Sequence, residues 1–124
     1  LHPRTANRLE ALDLAEDGGV RRLPPLGYLE FLGLHAESAL MLTDSGGLQE
    51  EACCLRVPCV TLRDNTERPE SLEVGANLLA GADPERIVAC ARAMRDRVRD
   101  WPNPVGDGRS GPRIVDILQA RAAG

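Results

Sequence analysis

The sequence predicts an α/β domain: a parallel sheet with helices on both faces. Three observations carry that prediction. Short apolar runs alternate with segments of helical periodicity, 9 to 15 residues long. Three of the runs end in polar junctions, at Asp44-Ser45-Gly46-Gly47, at Arg63-Asp64-Asn65-Thr66 and at Gly81-Ala82-Asp83. The length of 124 residues, with 43% hydrophobic and 27% charged residues, suits one domain around one modest core. Repeated βα units of this kind give right-handed crossovers and place ligands at the carboxyl ends of the strands.

Taken in order, Ala6 to Leu14 is a helix with Leu9, Leu12 and Leu14 at helical spacing, ended by Asp17-Gly18-Gly19. Val20 to Leu23 is a short strand stopped by Pro24-Pro25. A helix follows from Leu26 or Gly27 to about Ser38, with Leu29, Leu32 and Ala36 on one face. Ala39 to Leu42 is a strand, Gly47 to Leu55 a helix, and Cys59 to Leu62 a strand opening after Pro58. Glu67 to Val74 is a helix with Pro69 in its first turn, where the missing N–H costs nothing. Asn77 to Ala80 is the next strand, and Pro84 to Val98 a long helix capped by Asp83. A Pro/Gly-rich linker, Trp101 to Gly111, precedes a last helix of about ten residues ending near Arg121.

Composition bounds the function. The net charge of −4 and pI near 5.2 argue against a nucleic-acid surface, and one Phe, one Tyr and one Trp do not make a base-stacking platform. All 15 basic residues are arginines, a coding bias that weakens the case for any single guanidinium. No apolar run approaches the roughly 20 residues of a membrane span, and the first residues are unlike a signal peptide, so a cytoplasmic protein with no membrane partner is expected. Cys53, Cys54, Cys59 and Cys90 lack C-x-x-C spacing and paired histidines, which points to buried thiols rather than zinc or disulfides.

The segment Leu40 to Ala52, L-M-L-T-D-S-G-G-L-Q-E-E-A, is a strand that breaks and restarts as a helix after two glycines. Amides at a helix start have no intrahelical acceptor, and the macrodipole adds positive charge there, so a diphosphate fits both needs. Gly46 and Gly47 let its oxygens approach the backbone. A second reading stays open, in which Ser45 and the glycines only cap and turn the chain.

Alternatives also stand for the side chains around it. Arg68, in R-D-N-T-E-R-P-E from Arg63 to Glu70, is placed for a bidentate phosphate pair, or for a solvated first helical turn. Glu50 or Glu51 is placed for a ribose diol, or for the acidic first half of a helix. His2 and His35 are the only histidines. His35, at a helix edge, reads as structural or exposed, and His2 falls on the same ligand-facing rim. Ser45 has no base at a recognisable spacing, so no catalytic set is expected within the chain.

T-D-S-G-G-L-Q-E-E-A (Thr43 to Ala52), V-P-C-V-T-L-R-D-N-T-E-R-P-E (Val57 to Glu70) and V-G-A-N-L-L-A-G (Val74 to Gly81) resemble the bacterial non-hydrolysing UDP-N-acetylglucosamine 2-epimerases. So do H-P-R-T at His2 to Thr5 and N-P-V-G-D-G-R at Asn103 to Arg109, where Val105 replaces a commoner aromatic. The resemblance implies a Rossmann-like second domain of a glycosyltransferase-B-type enzyme about three times longer, with residues 1–124 as its partial nucleotide-sugar-binding domain. It implies that Ser45, Gly46 and Gly47 hold the diphosphate, that Glu51 takes the ribose hydroxyls, and that Arg68 lies on the nucleotide-sugar. Phe31 matches a position whose backbone meets the uracil. Leu26 stands where some members carry Gln near the base. His2 matches a histidine of a regulatory UDP-sugar site in some members.

The reaction so implied is elimination of UDP to a glycal and re-addition to the opposite face, with no cofactor and no metal. The acid and base carboxylates belong to the family's first domain. The partners expected are therefore UDP-N-acetylglucosamine or UDP, together with a missing N-terminal domain or a second copy. Two other readings remain: a UDP-sugar glycosyltransferase domain sharing the seat, and a non-catalytic binding or oligomerisation module with an exposed apolar face.

Overall fold

The computed structural model describes Thr5, Arg8, Leu9 and residues 19–122. His2 and most of the helix expected over Ala6 to Leu14 lie outside the described residues. Two compact units divide the chain, one ending at Leu34 and the other starting at His35.

In the first unit, residues 20–27 carry no regular structure, so the strand predicted over Val20 to Leu23 does not form. Its two central residues are Arg21 and Arg22, all four are exposed, and Pro24-Pro25 removes the next two backbone donors. Helix α1 then runs over Tyr28–Ala36. Its start is closed locally: Glu30 Oε2 accepts from the Gly27 amide at 3.1 Å, one half of a capping box.

The second unit is built on a parallel sheet of three strands in the order β1 (Met41–Thr43), β2 (Cys59–Thr61) and β3 (Asn77–Leu79). Met41, Cys59 and Asn77 are in register, as are Thr43, Thr61 and Leu79 one pleat further on. Leu62 and Ala80, predicted as the last residues of their strands, extend the ladder by donating to Thr43 O and Thr61 O, each at 2.9 Å. Side chains alternate between the two faces. On one face Cys59 and Met41 pack with Ala52, Val57 and Leu55, under helix α2 (Gly46–Cys54). On the other Val60 packs with Ala80, Ile87, Cys90 and Met94, under helix α4 (Pro84–Arg95). Leu42 and Leu78 flank Val60 in register on this second face and stay exposed.

Between β2 and β3 lies the short helix α3 (Pro69–Glu73), which has Pro69 in its first turn as predicted but spans less than the expected Glu67 to Val74. Gly75 ends it at φ +73, a left-handed conformation that lets its amide reach Leu72 O at 2.9 Å and lets Ala76 N–H reach Ser71 O at 3.0 Å. Helix α4 is capped by Asp83, which accepts from Arg86 N–H at 2.9 Å. It stops at Arg95 rather than Val98. Beyond it Arg97 donates to Gly75 O at 3.2 Å, and Arg99 donates to Ser38 O and Ala39 O at 3.0 and 3.2 Å.

The linker after α4 is anchored by the single tryptophan. Trp101 is buried against Cys53, Ala76 and Val74, and its Nε1 donates to Cys53 O at 3.1 Å, at the C-terminal end of α2. Asn103 then shapes the turn, taking Val105 N–H on Oδ1 and giving Nδ2 to Gly106 O, both at 3.0 Å. Asp107 accepts both Arg113 terminal nitrogens, at 2.9 and 2.8 Å, and that guanidinium holds its carboxyl below the usual carboxylate range. The last helix, α5 (Ser110–Ala122), has no buried residue and exposes Ile114, Ile117 and Leu118 on one face.

Trp101→Ala removes the largest side chain of its cluster and is expected to cost about 3–5 kcal/mol in urea unfolding. Ile117→Ser on exposed α5 is expected to shift the same measurement by less than about 0.5 kcal/mol.

Candidate functional site

The carboxyl ends of the three strands share one rim because the strands are parallel. Ser45 follows β1 and is the N-cap of α2, with extended backbone angles, φ −87 and ψ 126. Its hydroxyl makes no capping bond. The Ser45 amide is instead taken by Thr43 Oγ1 at 3.1 Å, and the first bond along α2 runs from Gln49 N–H to Ser45 O at 3.2 Å. The amides of Gly46, Gly47 and Leu48 therefore open at the helix end with no intrahelical acceptor, where the macrodipole is positive.

The segment after β2 lies across this opening. Arg63 pairs with Glu67, Nη1 to Oε2 at 3.2 Å, and its other terminal nitrogen reaches Asn65 Oδ1 at 3.4 Å. A methyl on Gly46 would lie 3.2 Å from Glu67 Cδ and closer still to Oε1, so the Glu67 side chain fills the space beside it and would have to swing aside. Gly47 has open space about it. The loop after β3 joins the rim through Gly81, at φ +67, whose amide donates to Arg63 O at 3.2 Å.

A buried polar network holds the rim together. Gln49 is fully buried, and its Oε1 accepts from Thr66 Oγ1 at 2.6 Å and from Asn77 Nδ2 at 3.3 Å. Asn77 Nδ2 also reaches Ser71 Oγ at 3.2 Å, and Asn77 Oδ1 accepts from Thr61 Oγ1 at 2.9 Å. Thr66 Oγ1 in turn accepts the Arg68 amide at 3.0 Å, and Ser71 Oγ donates to Arg68 O at 2.9 Å. Residues 66–71 are thus bonded on both sides of Glu67 and Arg68. Composition alone did not bring out this network. Its signal was the helical phase of Gln49 with buried Ala52 and Cys53, and an Asn opening an apolar strand at Asn77.

The paired glutamates separate. Glu50 Oε1 lies 2.8 Å from Arg68 Nε, which commits it to the guanidinium. Glu51 turns to the other side of α2, where Oε2 lies 4.0 Å from Nδ1 of His35. His35 is structural: its side chain is wholly buried, and burial lowers its pKa below the ordinary value although Glu51 pulls the other way. Arg68, Glu50, Glu70, Ser71 and Val105 line a cavity of about 220 Å³ beside the start of α3. Phe31 lies on α1 in the first unit, where its amide donates to Gly27 O at 2.9 Å. Ser45, Gly46, Gly47, Glu51 and Arg68 all fall in the second unit.

The arrangement presents backbone donors of the kind that suit an anion and offers little for nucleophilic chemistry. Burial pushes the Cys59 thiol up to about 12 and raises Cys53 as well, so neither supplies a thiolate. Among the described residues no three His, Cys, Asp or Glu side chains gather to hold a metal ion.

Two predictions arise here. Asn77→Ala removes the acceptor of the buried Thr61 hydroxyl and one of the two partners of both Gln49 Oε1 and Ser71 Oγ, and is expected to cost about 2–3 kcal/mol in urea unfolding. Because His35 is neutral when folded and takes a proton near pH 6.5 when unfolded, its contribution is complete above about pH 6.5 and is lost as pH falls toward its lowered folded value. Urea midpoints at about pH 7.5 and about pH 5.5 should therefore differ less in His35→Leu than in the parent chain.

A family profile for UDP-N-acetylglucosamine 2-epimerase matches residues 1–119. The UDP-N-acetylglucosamine 2-epimerase of Methanocaldococcus jannaschii is 52% identical over 122 residues, which are 95% of this chain and 33% of that protein. The UDP-2,3-diacetamido-2,3-dideoxy-D-glucuronate 2-epimerase of Pseudomonas aeruginosa is 43% identical over 119 residues, 95% of this chain and 33% of that one. The crystal structure of the M. jannaschii enzyme in complex with UDP-GlcNAc and UDP superposes with a TM-score of 0.84 at 51% identity, covering 96% of this chain and 34% of that one. The chain therefore spans about a third of the length of the relatives it matches. The α/β architecture is that of these epimerases, whose fold is of the glycosyltransferase-B type. With one profile covering residues 1–119 and relatives at this identity, the chain belongs to the UDP-N-acetylglucosamine 2-epimerase family.

Proposed function

We propose that the chain is the nucleotide-binding part of a UDP-N-acetylglucosamine 2-epimerase, and that the rim at Ser45, Gly46 and Gly47 holds the diphosphate of UDP. The observation that carries this reading is the end of α2: three amides without intrahelical acceptors, beside a Ser45 hydroxyl that makes no capping bond. Backbone donors at a helix start suit an anion whose charge grows as it leaves. In the epimerase reaction UDP departs from the sugar to leave a glycal, then adds back to the opposite face. The charge that develops on the departing diphosphate would meet the α2 end, with Arg68 close by.

Glu51 is assigned to the ribose hydroxyls by family resemblance, while Glu50 lies 2.8 Å from Arg68. Phe31 is assigned to the uracil by family resemblance, and His2 to a second, regulatory UDP-sugar site on the same ground. The carboxylates that move the C2 proton come from the other two thirds of the enzyme, so residues 1–124 act as a partial domain. The P. aeruginosa relative is named for a different sugar, a diacetamido glucuronate, on the same UDP. The rim described here addresses the part the two substrates share.

Calorimetry tests the seat. UDP is expected to bind the chain, and Ser45→Ala with Arg68→Ala to weaken it roughly tenfold or more. Absence of heat at millimolar UDP favours a non-catalytic module instead. Turnover of UDP-N-acetylglucosamine by the purified chain alone would overturn the assignment of acid and base to the remainder of the enzyme.

A further inference from the structure

We propose that the Glu67 carboxylate is a built-in competitor for the diphosphate seat, which a nucleoside diphosphate must displace as it binds. The inference rests on the seat reading above and adds its regulation. Glu67 reaches from the segment after β2 to the start of α2, and its carboxylate fills the space that a Cβ on Gly46, the first residue of that helix, would occupy. A negative group at this end is favoured by the same open amides and macrodipole that favour a phosphate. Arg63 keeps it there through the 3.2 Å ion pair, and Asn65 steadies the other arm of the Arg63 guanidinium.

What can move is the side chain alone. Thr66 is bonded to Gln49 at 2.6 Å, and Arg68 is bonded to Thr66 and Ser71 at 3.0 and 2.9 Å, so the backbone on either side of Glu67 is pinned. The Glu67 side chain itself is 52% exposed and can rotate into solvent. When it does, Arg63 is left beside the seat with its carboxylate partner gone, and it exchanges that carboxylate for a phosphate oxygen. The device sets a threshold. A weakly charged anion does not outcompete a tethered carboxylate, whereas a diphosphate gains both the helix end and Arg63.

The full chain, Glu67→Gln and Glu67→Ala are titrated calorimetrically with UDP and, separately, with uridine. Tighter UDP binding by about fivefold or more in both variants, with uridine affinity unchanged, is expected. Thermal melts confirm that the exposed substitutions leave the fold in place. Unchanged or weaker UDP binding in the variants, while the parent chain binds UDP, overturns the competitor role and leaves the seat standing. A parallel tightening of uridine also overturns it, since uridine carries no phosphate. If no chain binds UDP, the seat reading and this inference fall together.

Discussion

The rim depends on one buried contact, that of Gln49 with Asn77 and Thr66. Helix α2 and the segment 66–71 meet at the carboxyl end of β2. The Gln49 Oε1 atom joins them, with Thr66 on one side and Asn77 on the other. In a low-dielectric interior such bonds are directional, and an unmet partner is costly, so they specify one arrangement rather than adding bulk cohesion. The seat and its neighbouring charges take their relative positions from that arrangement.

Around the network the charges sort themselves by geometry. Two consecutive glutamates on α2 face different partners, Glu50 towards Arg68 and Glu51 towards a buried imidazole. The exposed Arg63–Glu67 pair adds little to stability in itself. Its interest is positional, because it brings a carboxylate to a helix end that suits anions. Elsewhere the arginines do structural service. Arg56, Arg86, Arg97 and Arg99 each donate to a main-chain carbonyl, and so close segment ends that no secondary structure satisfies.

How far the sequence could be read follows from the range of the interactions. The parallel sheet and the junction at Ser45 to Gly47 were legible because strand period, helix period and paired glycines are local signals. The Pro69 start of α3 and the Asp83 cap of α4 were legible for the same reason. Val20 to Leu23 misled because two β-compatible ends concealed two central arginines with no sheet to join. At a helix edge the sequence leaves His35 open to burial or exposure, and only the three-dimensional packing decides for burial. The Gln49–Asn77 network and the contact of Glu67 with Gly46 join residues far apart in the chain, and no period records them. The resemblance to the epimerases supplied the ligand roles, which these residues by themselves left open.

Trp101 offers an optical consequence. It is the chain's single tryptophan and is packed against the last turn of α2, the helix whose first turn forms the anion seat. A helix of nine residues spans about 13 Å, so the indole sits about that far from the proposed diphosphate seat. With Cys53 sulfur as a neighbouring quencher and an indole N–H bonded to a helix carbonyl, its emission is sensitive to small shifts of α2. The protein thus carries its own fluorophore, a label-free reporter of events at the opposite end of the same helix.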